Sequence, residues 1–320
     1  MSIVRSRSLG FIGIGAMGRP MAENLASKLP PPSIINIYDV SEKAMDELSM
    51  RNDGKIVKCS SAKDVAEKSV RIADFHKSLS TFRFSPKGLE AGICTADISN
   101  KLIIDCSTID TATSLSIKEN ISAKFPSASF YDAPVSGGVI GAKKGTIAFF
   151  LGCANDDPNL PQLAELASMI GKQVIPCGGP SLGLAAKLSN NYLSGLIAIA
   201  CSEAMNMGMR SGLDPRVLAN VYAAGTAQNT ICDRFNPVPG VYPDSPSSNG
   251  YKEGFKVQLM KKDIGLAVEM AQRVGARLAL GEAGLKAYAD ASEDPRCRDL
   301  DSRVVYRFLG GIEDWEGREQ

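Results

Sequence analysis

A chain of 320 residues has the length of about two domains and can bury a core without disulfides or a structural metal. Its 36 basic and 35 acidic side chains nearly cancel, which excludes the electrostatic footprint of a nucleic-acid binder, and no apolar run is long enough to span a membrane. The single histidine, His76, rules out multi-histidine metal sites and argues against Ser-His-Asp hydrolysis, so no metal centre is expected.

In chain order, MSIVRSRS precedes the first strand pattern and reads as too short for a signal peptide or an ordinary transit peptide. Continuous apolar runs predict strands at 9–15, 34–39, 56–59, 101–107, 129–135, 146–152 and 173–178. Helical spacing lies between the first of them, over 17–29, 42–50, 61–68 and 113–125. Apolar strands alternating with amphipathic helices predict a doubly wound, mostly parallel sheet, the α/β Rossmann class, over residues 1–179. After Gly179 no convincing strand pattern follows, and helices are expected over 184–210, 215–223, 256–274, 282–291 and 302–309, an all-α domain over residues 180–320. The stretch 233–254, rich in Pro, Gly, Ser and Asn, reads as a long loop, functional or disordered. The eight cysteines show no C-x-x-C spacing and read as free thiols in a reducing compartment.

Gly13, Gly15 and Gly18 form G-x-G-x-x-G between a strand and a helix, the turn 13–18 running through Ile14, Ala16 and Met17. The first glycine allows the tight turn, the second lets backbone approach a pyrophosphate, and the third brings helix close to strand. Asp39 ends the next strand 21 residues beyond Gly18, where an acid accepts from ribose hydroxyls. A 2′-phosphate about 4 Å from that carboxylate would meet repulsion of roughly 4 kcal/mol at an effective dielectric near 20, which favours NAD over NADP. Ser136, Gly137 and Gly138 follow a strand and offer a hydroxyl and backbone N–H groups to a small carboxylate, or else simply turn the chain. Gly183, Lys187, Asn191 and Gly195 recur every four residues on one stripe of the long helix. A lysine among apolar turns either snorkels or has a lowered pKa, so this stripe reads as a substrate floor holding a proton-transfer group.

These motifs carry a resemblance. GFIGIGAMGRPMAENL from Gly10, DCST from Asp105, DAPVSGGVIGAKKGT from Asp132, GLAAKLSNNY from Gly183, KKDIGLA from Lys261 and NPVPGVYPDSPSSNGYKEGF from Asn236 resemble the 3-hydroxyisobutyrate dehydrogenases. These stand within the β-hydroxyacid dehydrogenase family, which is related to 6-phosphogluconate dehydrogenase. The resemblance implies NAD-dependent oxidation of 3-hydroxyisobutyrate to methylmalonate semialdehyde, a step of valine catabolism, in a homo-oligomer, dimer or tetramer. Relatives acting on tartronate, glyoxylate or succinic semialdehydes are the alternative within the class. By motif position Lys187 would be the general acid/base and Asn191 would orient it, while Ser136, Gly137 and Gly138, with Gly183, would hold the substrate. Thr108 would lie near the nicotinamide and Lys262 would reach the cofactor. The family association points to mitochondria and the short leader to the cytoplasm.

Between Ser69 and Gly92 the resemblance lapses. Arg71, Asp74, His76, Lys77 and Arg83 interrupt the place of a central apolar strand, leaving LSTFRF from Leu79 as a poor, displaced candidate. Either the segment has diverged, with cofactor affinity reduced, or it is a misread junction such as translated intron; the second is the expectation. A chain that keeps the fold but only binds dinucleotide, without catalysis, is the reading from another class.

Overall fold

The computed structural model describes residues 8–52, 54–74 and 92–315. They fall into two units, Met1–Lys187 and Leu188–Gln320. The first opens with β1 (Ser8–Ile12), α1 (Gly18–Lys28), β2 (Ile34–Tyr38), α2 (Glu42–Met50), β3 (Ile56–Lys58), α3 (Ala62–Lys68) and β4 (Arg71–Asp74). It continues through β5 (Leu102–Asp105), α4 (Thr111–Lys124) and β6 (Ser129–Asp132). Helices α2, α3 and α4 start where short polar side chains can take an orphan N–H: Ser41 accepts from Ala44, Ser61 from Asp64 and Asp110 from Thr113. All neighbouring strands are parallel, in the order β3-β2-β1-β4-β5-β6. Leu9, Phe11, Ile35, Ile37, Ile72 and Ile103 are buried within it, as strands covered on both faces require. The chain's direction of travel across the sheet reverses at β1 and β4, and open sheets of this kind bind ligands beyond the strand C-termini at such a switch point.

Two expectations need correction. The strand expected to fail after Ser69 forms: Arg71–Asp74 is β4, aligned Ile12↔Asp74 with β1 and Asp74↔Asp105 with β5. A ladder is built from backbone groups, so it tolerates a charged side chain that finds a partner. Arg71, 4% exposed, donates from Nη2 to Gln162 Oε1 at 2.8 Å. The alternative strand at Leu79 and the histidine His76 lie outside the described residues.

The run 129–135 is two strands, not one. Pro134 has no N–H to give a ladder, so the chain leaves the large sheet after Asp132 and resumes as β7 (Val135–Ser136). With β8 (Ile147–Leu151) and β9 (Gly171–Pro176), β7 makes a second sheet, antiparallel to β8, while β8 and β9 are parallel. Between these strands lie α5 (Gly138–Lys144) and α6 (Leu160–Ile170), neither foreseen.

The second unit is helical: α7 (Leu182–Arg210, shared with the first), α8 (Pro215–Ala224), α9 (Thr230–Arg234), α10 (Val257–Arg273), α11 (Gly281–Glu293) and α12 (Val305–Phe308). The stretch expected to be a long loop is packed around buried Asn236. The Asn236 carbonyl accepts from the Ser245 and Ser247 hydroxyls at 3.0 and 2.6 Å, and Tyr251 donates to the Pro237 carbonyl at 2.8 Å. The first unit takes in the first turn of α7, which is held by Asp132. Among the described residues no helix is long and apolar enough to cross a membrane.

Candidate active site

Backbone geometry dominates the turn after β1. Gly13 has φ +87°, and its N–H donates to the Tyr38 carbonyl at 2.9 Å, tying the turn to the end of β2. A Cβ on Gly18 would lie 1.9 Å from the Gly13 carbonyl oxygen, so only glycine lets the helix start this close to the turn. A Cβ on Gly15 would meet nothing within 4 Å, which leaves its exposed backbone open to a ligand. Ala16 is exposed, Met17 half-buried and Ile14 buried. No side chain caps α1 at Met17, so its first N–H groups suit a phosphate. Asp39 accepts from Ile14 N–H through Oδ2 and from Ser41 N–H through Oδ1, each at 2.8 Å. A carboxylate has about four lone-pair sites, so this one, anchored by two, can still take ribose hydroxyls. The chain thus fits a dinucleotide here.

At the same strand ends, β5 runs into Ser107 and half-buried Thr108, with the Ser107 N–H and hydroxyl both donating to Asp105. Asp74, at the end of β4, lies in register between Ile12 and Asp105, so an acid stands at this edge that motif reading did not assign.

The segment after β6 serves two neighbours. Asp132, 2% exposed, accepts from Ser181 N–H at 2.7 Å and Leu184 N–H at 2.9 Å and so caps α7. Burial pushes its pKa up, against the pull of those backbone donors. Four residues on, half-buried Ser136 pairs with Ala148, and exposed Gly137 and Gly138 follow with φ +131° and +62°. A Cβ on Gly138 would meet nothing within 4 Å, whereas one on Gly137 would press Ile147 at 3.1 Å, so the open backbone is that of Gly138.

Lys187 and Asn191 lie one turn apart on α7, at 8% and 6% exposure. Asn191 Nδ2 donates to Asp263 Oδ2 at 2.6 Å, and Lys262 Nζ pairs with Asp263 Oδ1 at 2.9 Å. The glycines of the stripe are not an open floor. A Cβ on Gly183 would strike the Phe150 carbonyl at 2.3 Å and Asp132 Oδ2 at 2.8 Å, and one on Gly195 would press Ile264 at 2.8 Å. Gly183, expected among the substrate groups, also lets α7 approach Asp132 closely. Asp263 and Asp132 carried no assigned role in the sequence. The available signal for Asp263 is an acid on the buried stripe of α10, which runs Met260, Asp263, Ile264, Ala267, Ala271.

Comparison with known proteins agrees with this layout. The model described as the NAD binding domain of 6-phosphogluconate dehydrogenase matches residues 8–179, and that described as NAD-binding of NADP-dependent 3-hydroxyisobutyrate dehydrogenase matches 182–309. The mitochondrial 3-hydroxyisobutyrate dehydrogenase of Homo sapiens is 37% identical over 292 residues, 90% of this chain and 82% of its own. The chain belongs to the 3-hydroxyisobutyrate dehydrogenase family. Another relative, the 3-hydroxyisobutyrate dehydrogenase of Pseudomonas aeruginosa, is 34% identical over 307 residues, covering 95% of this chain and 98% of its own. Among solved structures, Mycobacterium tuberculosis 3-hydroxyisobutyrate dehydrogenase with L-serine is similar at TM-score 0.85 and 28% identity, over 95% of this chain and 99% of that one. The family's arrangement of a Rossmann sheet followed by helices is the one found here.

Proposed function

We propose that the chain oxidises the primary alcohol of a small 3-hydroxy acid, 3-hydroxyisobutyrate, to methylmalonate semialdehyde with NAD. The observation that carries this reading is the buried Lys187 one helical turn from an Asn191 fixed by Asp263. The relatives named for this activity support it, as does the L-serine in the mycobacterial structure, since serine is also a 3-hydroxy acid.

NAD, when bound, accepts the hydride from the alcohol carbon. Gly13, Ile14, Gly15, Ala16, Met17 and Gly18 hold its pyrophosphate and Asp39 its ribose, with Thr108 and Lys262 as further cofactor contacts. The anchored Asp39 carboxylate would repel a 2′-phosphate, so NAD is preferred over NADP. Lys187 Nζ takes the hydroxyl proton as the alcohol is oxidised. Asn191 spends one amide hydrogen on Asp263 and accepts from Asn190 Nδ2 at 3.1 Å, which fixes the other hydrogen toward a ligand oxygen. Ser136, Gly137 and Gly138 hold the substrate carboxylate.

Only neutral lysine accepts a proton, so kcat/KM for oxidation rises with pH. NADH formation across a panel of 3-hydroxyisobutyrate, L-serine, glycerate, glycolate and 4-hydroxybutyrate tests the assignment. A chain that binds NAD yet turns over none of them is the non-catalytic reading. The same readout ranks the semialdehyde relatives against 3-hydroxyisobutyrate.

We also propose a homo-oligomer, supported by Leu193 and Met207 on α7 and Val217 and Val221 on α8, large apolar side chains at least half exposed. Light scattering across a concentration series tests it. A mitochondrial setting is supported by relatives named for that organelle and is checked by fractionating cells that express the native gene.

A further inference from the structure

Eight cysteines are free, and seven of them are buried. Among the described residues one pair places sulfur against sulfur: Cys201 in α7 and Cys232 in α9, with Sγ atoms 3.4 Å apart and each residue 4% exposed. We infer that Cys201 and Cys232 are a modification site, a thiol pair that a peroxide converts to an intramolecular disulfide. Closing the bond draws the sulfurs from 3.4 Å to about 2.05 Å, a side-chain adjustment rather than a refolding.

The two sulfurs are not equivalent. Asn229 caps α9 by accepting from Cys232 N–H at 3.0 Å, and its Nδ2 donates to Cys232 Sγ at 3.1 Å. The hydrogen bond shared with Cys201, then that from Asn229, pulls the Cys232 thiol down, against burial and the nearby Asp233 carboxylate. The same sulfur–sulfur bond and burial push Cys201 up. Burial also pushes up the thiols of Cys59, Cys94, Cys106, Cys153, Cys177 and Cys297, leaving Cys232 as the sulfur with thiolate character. Its helix is five residues long and opens more cheaply than α7, which gives a small oxidant a way in.

The steps balance. The Cys232 thiolate attacks one oxygen of hydrogen peroxide, the O–O bond breaks to give a sulfenic acid and hydroxide, and the proton that the thiol released on ionising joins that hydroxide as one water. Cys201 sulfur then attacks Cys232 sulfur, its thiol proton and the departing hydroxide leave as a second water, and the S–S bond forms. Two thiols lose two electrons and the peroxide becomes two waters.

The test treats the reduced full chain with hydrogen peroxide, blocks remaining thiols with N-ethylmaleimide, and maps linked peptides by mass spectrometry. The expected result is a Cys201–Cys232 linkage, a fall from eight free thiols to six, and recovery of all eight with dithiothreitol. A linkage between other cysteines, an over-oxidised Cys232 with no linkage, or survival of all the thiols overturns the proposal, and this measurement needs no variant. In Cys201→Ser, dimedone should trap a sulfenic acid on Cys232. In Cys232→Ser, trapping at Cys201 should fall about tenfold or more below that, and equal trapping at the two sites would overturn the assignment of Cys232 as the attacking sulfur.

Discussion

The glycine turn after β1 and the Asn191, Asp263 and Lys262 cluster of the helical unit are built on opposite principles. The turn is made of backbone: a positive φ at Gly13, an approach at Gly18 that a Cβ would block, and open space at Gly15. The cluster is made of side chains whose partners lie 72 residues apart in the chain. The first tolerates little change of residue at its glycines and depends on local sequence. The second depends on two helices meeting, and each member acts through the others.

Four measurements break or sharpen that contrast. Lys187→Ala should cost about three orders of magnitude in kcat while NAD binding, followed by fluorescence titration, stays nearly unchanged. The rise of kcat/KM with pH should flatten in the same variant. Asp39→Ala should shift the ratio of kcat/KM for NADP over NAD by about 100-fold, less than full Coulomb repulsion predicts because the site is only half-buried. Asp263→Asn should lower kcat by about tenfold, and combining it with Asn191→Ala should cost little beyond the larger single effect, because the two act as one unit.

The glycines give the cleanest separation. Gly18→Ala must push the Gly13 carbonyl aside and should lower stability by about 1–3 kcal/mol, seen as a drop in Tm. Gly15→Ala meets no protein atom and should leave Tm unchanged while weakening NAD by about tenfold. Equal effects of these two substitutions on Tm would mean that the turn is not divided into a packing glycine and a ligand-facing one.

Legibility followed the same division. Period and turn chemistry placed α2 at the observed bounds, Glu42–Met50, and put Gly13, Gly18 and Asp39 where the structure has them. The stripe of Lys187 and Asn191 was also legible, since it needs only helical periodicity. The close packing at its glycines was not legible, because the same spacing describes a face that binds and a face that packs. Arg71 hid a central strand, since a charge in an apolar run reads as an interruption until its partner, Gln162, is known. Asp132 and Asp263 passed unassigned because a buried acid looks like a surface one until the N–H groups or amide it serves are in view.

What the sequence by itself determined is therefore the class of the fold, the dinucleotide turn and the family, because these rest on short-range backbone requirements that only certain residues meet. Only the tertiary structure decided that Arg71–Asp74 completes the sheet, that Gly183 packs against Asp132, and that Asp263 joins Lys262 to Asn191. Those outcomes depend on which distant groups come within hydrogen-bond or van der Waals reach, and spacing along one chain does not contain that information.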